Sequence, residues 1–273
     1  MSHQRTTPIE FRRAVSVAAL GVLVLIVSAT ARAEQDFGTF RRAVEYCRGD
    51  VARPMALSSD KRTLCLDGTF LPPLNLALAK ELEEGGVFVV RSLGGHGDLA
   101  IYLAEALRER RAAVVAYDYC ISACASYVLV ASTTAFVSRG TLVAWQPTVD
   151  GCASFADASD RGPKRLERGA CPDAPREQKI AYQDFKDLED WFYRSRTIEE
   201  NFEAPPESNF VRRALKSRVG ERGAYPANLY WTWNPRYSAA AIKTKITYEA
   251  YPQSQDEVDA MARPLGVRVI YDP

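Results

Sequence analysis

Histidine is almost missing from this chain: His3 and His96 are the two in 273 residues. With so few imidazoles, and no finger-type cysteine spacing, the sequence offers no zinc centre. An excess of one charge is missing as well. Lys and Arg total 35 against 34 Asp and Glu, a formal charge of +1, and no basic tract stands out, so nucleic acid is not an expected partner. Repeats and low-complexity tracts are absent. What remains is an ordinary folding composition, 47% hydrophobic, sufficient for a sizeable core in one large domain or two small ones.

Of what is present, the N-terminus speaks first. Arg12 and Arg13 precede the apolar run AVSVAALGVLVLIVSAT, and ARA comes next with small residues at Ala31 and Ala33. Charged, apolar, then small is the order of a secretory signal, here residues 1–33 with cleavage after Ala33. The alternative is an uncleaved inner-membrane anchor, for which the run is short; only in that case would a membrane be a partner. All six cysteines (Cys47, Cys65, Cys120, Cys124, Cys152 and Cys171) lie beyond the signal, and export to the periplasm or the medium favours disulfides. Cys47–Cys65 and Cys152–Cys171 are the expected pairs, each closing a short loop, while Cys120 and Cys124 either pair or stay packed thiols.

Residues 34–86 read as a leading helix (QDFGTFRRAVEYCRG), a small hairpin turning at Ser58-Ser59-Asp60, and a proline-started helix PPLNLALAKELEEGG stopped by Gly85-Gly86. Residues 87–147 form the core. VFVVRS and AAVVAYDY are continuous apolar strands of the kind a sheet covered on both faces requires. Between them, Leu99, Leu103, Ala106 and Leu107 recur at helical spacing. A helix over 122–131 and two strands, TAFVS and TLVAW, complete a series of βαβ units. Residues 148–175 are a polar loop tied by Cys152 and Cys171. Residues 176–273 hold a helix marked by Ala181, Phe185, Leu188 and Phe192, a second helix over 207–218, the alternating YWTWNP, and a last helix and strand. That last helix opens on a Ser254/Glu257 capping box, is striped by Val258, Met261, Ala262 and Leu265, and stops at Gly266. The four tryptophans read as structural.

Two segments, VVRSLGGHGDLAIYLAEAL and YDYCISACASYVLVAS, each end a buried strand on a turn that opens a helix. In a parallel α/β sheet ligands sit beyond the carboxyl ends of the strands. Gly94 and Gly95 leave backbone N–H groups approachable, and Ser122 stands where helix amides and the positive dipole end favour negative charge. Such parts could serve acyl transfer, as nucleophile and oxyanion hole. A serine at a helix start is also commonly just a cap, and paired glycines commonly just a turn.

These two segments resemble the strand–turn–helix of the Clp-protease/crotonase superfamily from about Val87 to Pro147, nearest to exported Clp-like proteins of bacteria with C-x-S-[AS]-C-A-x-Y around the serine. The resemblance implies an α/β fold with the superfamily's repeated ββα spiral and peripheral C-terminal helices, a peptide or acyl substrate, no cofactor, and assembly as a homo-oligomer. It implies Ser122 as nucleophile, with Gly94, Gly95 and the Ala123 amide as oxyanion hole. The chain departs from the protease pattern in having no histidine after His96. Gln146 of VAWQP stands where a histidine is expected, and Leu93 replaces a proline. The base would then be His96, Lys179 or Lys186, with Asp98 or Asp118 orienting His96 or capping a helix. Two functions are compatible with this pattern: a serine hydrolase, peptidase-like, or a binding or scaffold protein that kept the fold without a general base. Acyl-CoA chemistry is disfavoured by export.

Overall fold

The computed structural model describes residues 37–146, 176–196, 213–214, 228–232, 234–235, 239 and 242–273, with side chains in the 176–196 helix described from 184 onward. The signal segment 1–33, the 148–175 loop with Cys152 and Cys171, the Lys179 side chain, and the 207–218 helix apart from 213–214 lie outside them. By its contacts the chain divides into Met1–Arg42 and Ala43–Pro273. Of the first unit, only the opening turns of helix α1 (residues 37–48) are described.

The second unit is built on a mostly parallel sheet of seven strands. Strand β1 (Met55–Leu57) pairs antiparallel with β2 (Thr63–Asp67) as the expected hairpin. At its turn Ser58 Oγ donates to Asp60 and accepts the amide of Thr63. From β2 onward every pairing is parallel: β3 (Val87–Ser92), β4 (Ala113–Ile121), β5 (Thr134–Val137) and β8 (Lys245–Tyr248), with β6 (Leu142–Ala144) on β4. Strands β7 (Leu229–Thr232) and β9 (Arg268–Tyr271) make a second, parallel pair, linked to the first sheet by the Trp145–Trp231 bridge. The fold is therefore mixed α/β around a largely parallel sheet.

Consecutive residues Phe88, Val89 and Val90 are all fully buried. Both faces of β3 are covered, which is why the strand reads as an unbroken apolar run. Helix α3 (Gly97–Glu109) lays Ala100, Ile101, Leu103, Ala104 and Leu107 on the sheet. Helix α4 (Arg176–Arg196) packs beside it through Phe192, with Phe185 and Leu188 half-buried against the same core. Arg196, buried near the α4 end, is paired to Glu105 of α3. A smaller core sits at the end of β4, where Ile121, Leu142 and Ala144 meet Val258 and Ala262 of α5 (Gln255–Ala262) and Val269 of β9.

Three expectations need correction. The helix foreseen over PPLNLALAKELEEGG is only α2 (Ala77–Glu81). Asn75 Oδ1 takes the Ala77 amide, a local turn bond that competes with helix before residue 77. The helix foreseen over 122–131 is a single π-type turn, Cys124–Val128, closed by Leu129 N–H to Cys124 O at 2.9 Å. Third, although Trp145 and Trp231 are buried, Trp191 is about half exposed. The capping box is half realised: Ser254 Oγ accepts the Glu257 amide, whereas the Glu257 carboxylate takes the amide of Gln253.

Candidate functional site

Both turns sit at carboxyl ends of adjacent strands, β3 and β4, and they touch. A Cβ built on Gly94 would stand 2.7 Å from Ser122 Cβ, 2.8 Å from Ile121 O and 3.1 Å from Ala123 N. No side chain fits between the loop and the serine, and Gly94, at φ +96°, has the backbone of a residue without one. Gly95, at φ +135°, is held from the other side: a Cβ there would lie 2.6 Å from Phe70 O. The bonds run from Phe70 N–H to Gly94 O and from His96 N–H to Phe70 O, both 2.8 Å. Peptide groups alternate along an extended chain. Because the groups of residues 94 and 96 point to Phe70, the Gly95 N–H points away from it.

Ser122 adopts φ +55°, a left-handed conformation rare for serine. Several restraints enforce it. Its own amide donates to Ala144 O at 2.9 Å, and its carbonyl accepts the Ser126 amide at 2.9 Å. The disulfide Cys120–Cys124 (Cα–Cα 5.2 Å) spans it, tying the end of β4 to the π-turn. The Ala123 amide is the first N–H of that turn, and at this position a turn supplies no acceptor of its own. The hydroxyl is half-buried and donates to Gln146 Oε1 at 2.9 Å; Gln146 is its hydrogen-bond partner among the described residues.

His96 precedes α3 without capping it by its side chain, and its Nδ1 lies 3.8 Å from Asp98 Oδ1. Asp118 is gripped by Arg48 at 2.6 Å and Arg91 at 3.0 Å. Lys186, 21% exposed, extends to Glu189 Oε2 at 2.7 Å, and Glu189 also accepts the phenol of Tyr127. Burial above all keeps the Tyr127 and Tyr193 phenols well above the ordinary tyrosine range, reinforced by the Glu189 charge. Phe185 closes the flank: a Cβ on Gly97 would lie 2.7 Å from its ring and 3.2 Å from that of Tyr127. The structure thus brings Ser122, Gly94, Ala123 and Gln146 together with Gly95 alongside, although the Gly94 amide, expected as an oxyanion donor, is taken by Ser92 Oγ at 3.1 Å, and it turns Asp118 to arginine and Lys186 to glutamate.

The expected Cys47–Cys65 disulfide is present (Cα–Cα 5.5 Å), and Cys120 and Cys124 pair rather than remaining thiols. Among the described residues no helix is long and apolar enough to cross a membrane, and no cluster of His, Cys, Asp and Glu could hold a metal. Sequence reasoning missed Phe70, which shapes the glycine loop, and the ion pairs around Arg91. Phe70, the one apolar residue of residues 67–70, carries no local sign of that role, and nothing local marks the second.

Comparison with models of protein families finds no match, nor does comparison with curated proteins. Among solved structures the chain is similar to a point mutant of ClpP1 from Listeria monocytogenes, at 14% identity over 47% of this chain and 70% of that one, with a TM-score of 0.28. At that level the reading of the site stands on this chain's own geometry.

Proposed function

We propose that this is an exported protein with a Clp-protease-like spiral whose Ser122 turn binds a carbonyl or carboxylate group of a peptide or acyl ligand without hydrolysing it. The observation that carries the reading is the bond from Ser122 Oγ to Gln146 Oε1. A carboxamide takes up no proton near neutral pH, so it cannot act as the general base a serine nucleophile requires. Its other end, Nε2, offers two further donors. With the Gly95 and Ala123 amides this makes a donor-rich recess matched to an acceptor ligand. The two disulfides suit an oxidising compartment and support export.

The test uses a fluorophosphonate probe and a binding titration. The purified protein should stay unlabelled at Ser122, and short N-acetylated peptide acids should shift the Gly95 and Ala123 amide resonances. Ser122→Ala should weaken that binding while leaving the fold intact. No amide shift with any peptide acid, or stoichiometric labelling of Ser122, would remove the proposal.

A second reading, the serine hydrolase, is favoured by one observation: His96, with Asp98 3.8 Å from its Nδ1, comes directly after the glycine loop that touches Ser122. Labelling that is present in the natural protein and abolished by His96→Gln would select it.

A further inference from the structure

Strand β4 changes partner midway. Val114–Ala116 pair with β5, whereas Tyr119–Ile121 pair with β6. At the handover, β3 and β4 fall out of register. Val90 opposes Ala116 and Ser92 opposes Cys120, so Arg91 alone faces the three residues Tyr117, Asp118 and Tyr119. The extra residues form a bulge, with Asp118 at φ +56°. A bulge bends its strand and re-aims the residues beyond it; in β4 the strand beyond the bulge leads directly to Ser122.

The bulge is held by charge. Arg91 donates through Nε and Nη2 to Asp67 on β2, at 2.8 and 2.5 Å, and through Nη1 to Asp118 at 3.0 Å. Its guanidinium also lies over the rings of Tyr117 and Tyr119, at 5.4 and 5.9 Å. From outside, Arg48 takes the second Asp118 oxygen at 2.6 Å, one residue after the cysteine that the Cys47–Cys65 disulfide ties to β2. Asp118 is thus shared between two arginines anchored on different elements. A short aspartate tolerates the left-handed backbone, and the two arginines pin its side chain.

Resting on the reading of the Ser122 turn as the site, we infer that Asp118 is a positioning residue: clamped by Arg91 and Arg48, it holds the bulge that turns the end of β4 onto β6 and so aims the Ser122 hydroxyl at Gln146 and the glycine loop. It touches neither Ser122 nor the ligand recess; it acts through the strand.

Hydrogen exchange tests this without reference to any ligand, so its failure is distinct from failure of the binding reading. Asp118→Asn keeps the left-handed tolerance and size but removes the charge. The Ser122 amide, bonded to Ala144 O, should then exchange about fivefold faster or more, while Val114–Ala116 amides keep their rates. Arg48→Met, which releases one partner only, should give a smaller rise at Ser122 alone. Lys61→Met, which removes an ion pair to Glu81 and none to Asp118, should leave the Ser122 amide unchanged. Equal acceleration of both halves of β4 in Asp118→Asn, or no change at Ser122 in both Asp118→Asn and Arg48→Met, would overturn the inference.

Discussion

Gly94→Ala is the sharpest perturbation of the contact on which the site depends. The added methyl group would meet Ser122 Cβ at 2.7 Å, Ile121 O at 2.8 Å and Ala123 N at 3.1 Å. Two of these are backbone atoms that cannot swing aside. The position also has φ +96°, where a side chain costs on the order of 1–3 kcal/mol in backbone strain. Overpacking a fixed site adds roughly 1–3 kcal/mol, so the total is about 2–6 kcal/mol. For a chain of this length, at about 2–4 °C per kcal/mol, the melting temperature should fall by roughly 5–20 °C. Gly140 supplies the control: at φ +74° it has nothing within 4 Å of its Cβ position. Gly140→Ala should therefore show strain without collision, near the low end of that range. Thermal unfolding by circular dichroism compares the two, and a cycle with Ser122→Gly isolates the nearest contact. That second change should recover about 1 kcal/mol more in the Gly94→Ala background than in the natural one. The reasoning fails if Gly94→Ala is no more destabilising than Gly140→Ala, because the loop and the serine would then not be in contact.

Other perturbations separate the remaining restraints. From loop length alone, replacing both Cys47 and Cys65 by serine, which opens a loop with sequence separation 18, should cost about 3 kcal/mol. The same change at Cys120 and Cys124, with separation 4, should cost about 2 kcal/mol, and urea midpoints give both. Bonds from Arg91 hold the Asp67 carboxyl below the usual carboxylate range. A lowered folded pKa means stability that is complete above the unfolded value near ~4 and is lost as pH falls through the folded value. Asp67→Asn should thus be less stable at pH 7, with the gap to the natural protein closing below pH ~4; a gap independent of pH would refute the assignment. Ser254→Ala removes the acceptor for the Glu257 amide and should cost about 1 kcal/mol, read as a loss of thermal stability.

Where a signal is local, the sequence carries it. The apolar run of β3, the helical spacing of α3 and the Ser254 cap of α5 all stand where pattern and cap chemistry place them. The juxtaposition of the glycine loop with Ser122 was legible too, because strands flanking a crossover helix end side by side. The bulge was not. Apolar periodicity counts which face a residue takes, and Tyr117-Asp118-Tyr119 alternates like any half-buried strand. Its irregularity shows only against β3, where Arg91 lies opposite, 27 positions away in sequence. The helix after Ser122 misread for a related reason. Its apolar pattern suits an α-helix, but Cys124 is fastened to Cys120 on the strand, and the chain widens into one π-type turn.

A serine at φ +55° is costly, on the order of 1–3 kcal/mol, and persists only where its surroundings over-determine it. Here they do so from four sides: the Cys120–Cys124 bridge, the bond to Ala144, the pressed Gly94 and the pinned bulge at Asp118. Packing alone would not need that turn, since a glycine at 122 would satisfy the same backbone at no steric cost. The retained hydroxyl is the part that glycine could not supply, and it is directed to a carboxamide. A rigid frame around the hydroxyl lowers the ordering cost of holding a ligand, and the carboxamide it is bonded to takes up no proton near neutral pH. On the proposed binding reading, a base placed at residue 146 by Gln146→His is the change that should turn recognition into catalysis, read as new fluorophosphonate labelling of Ser122.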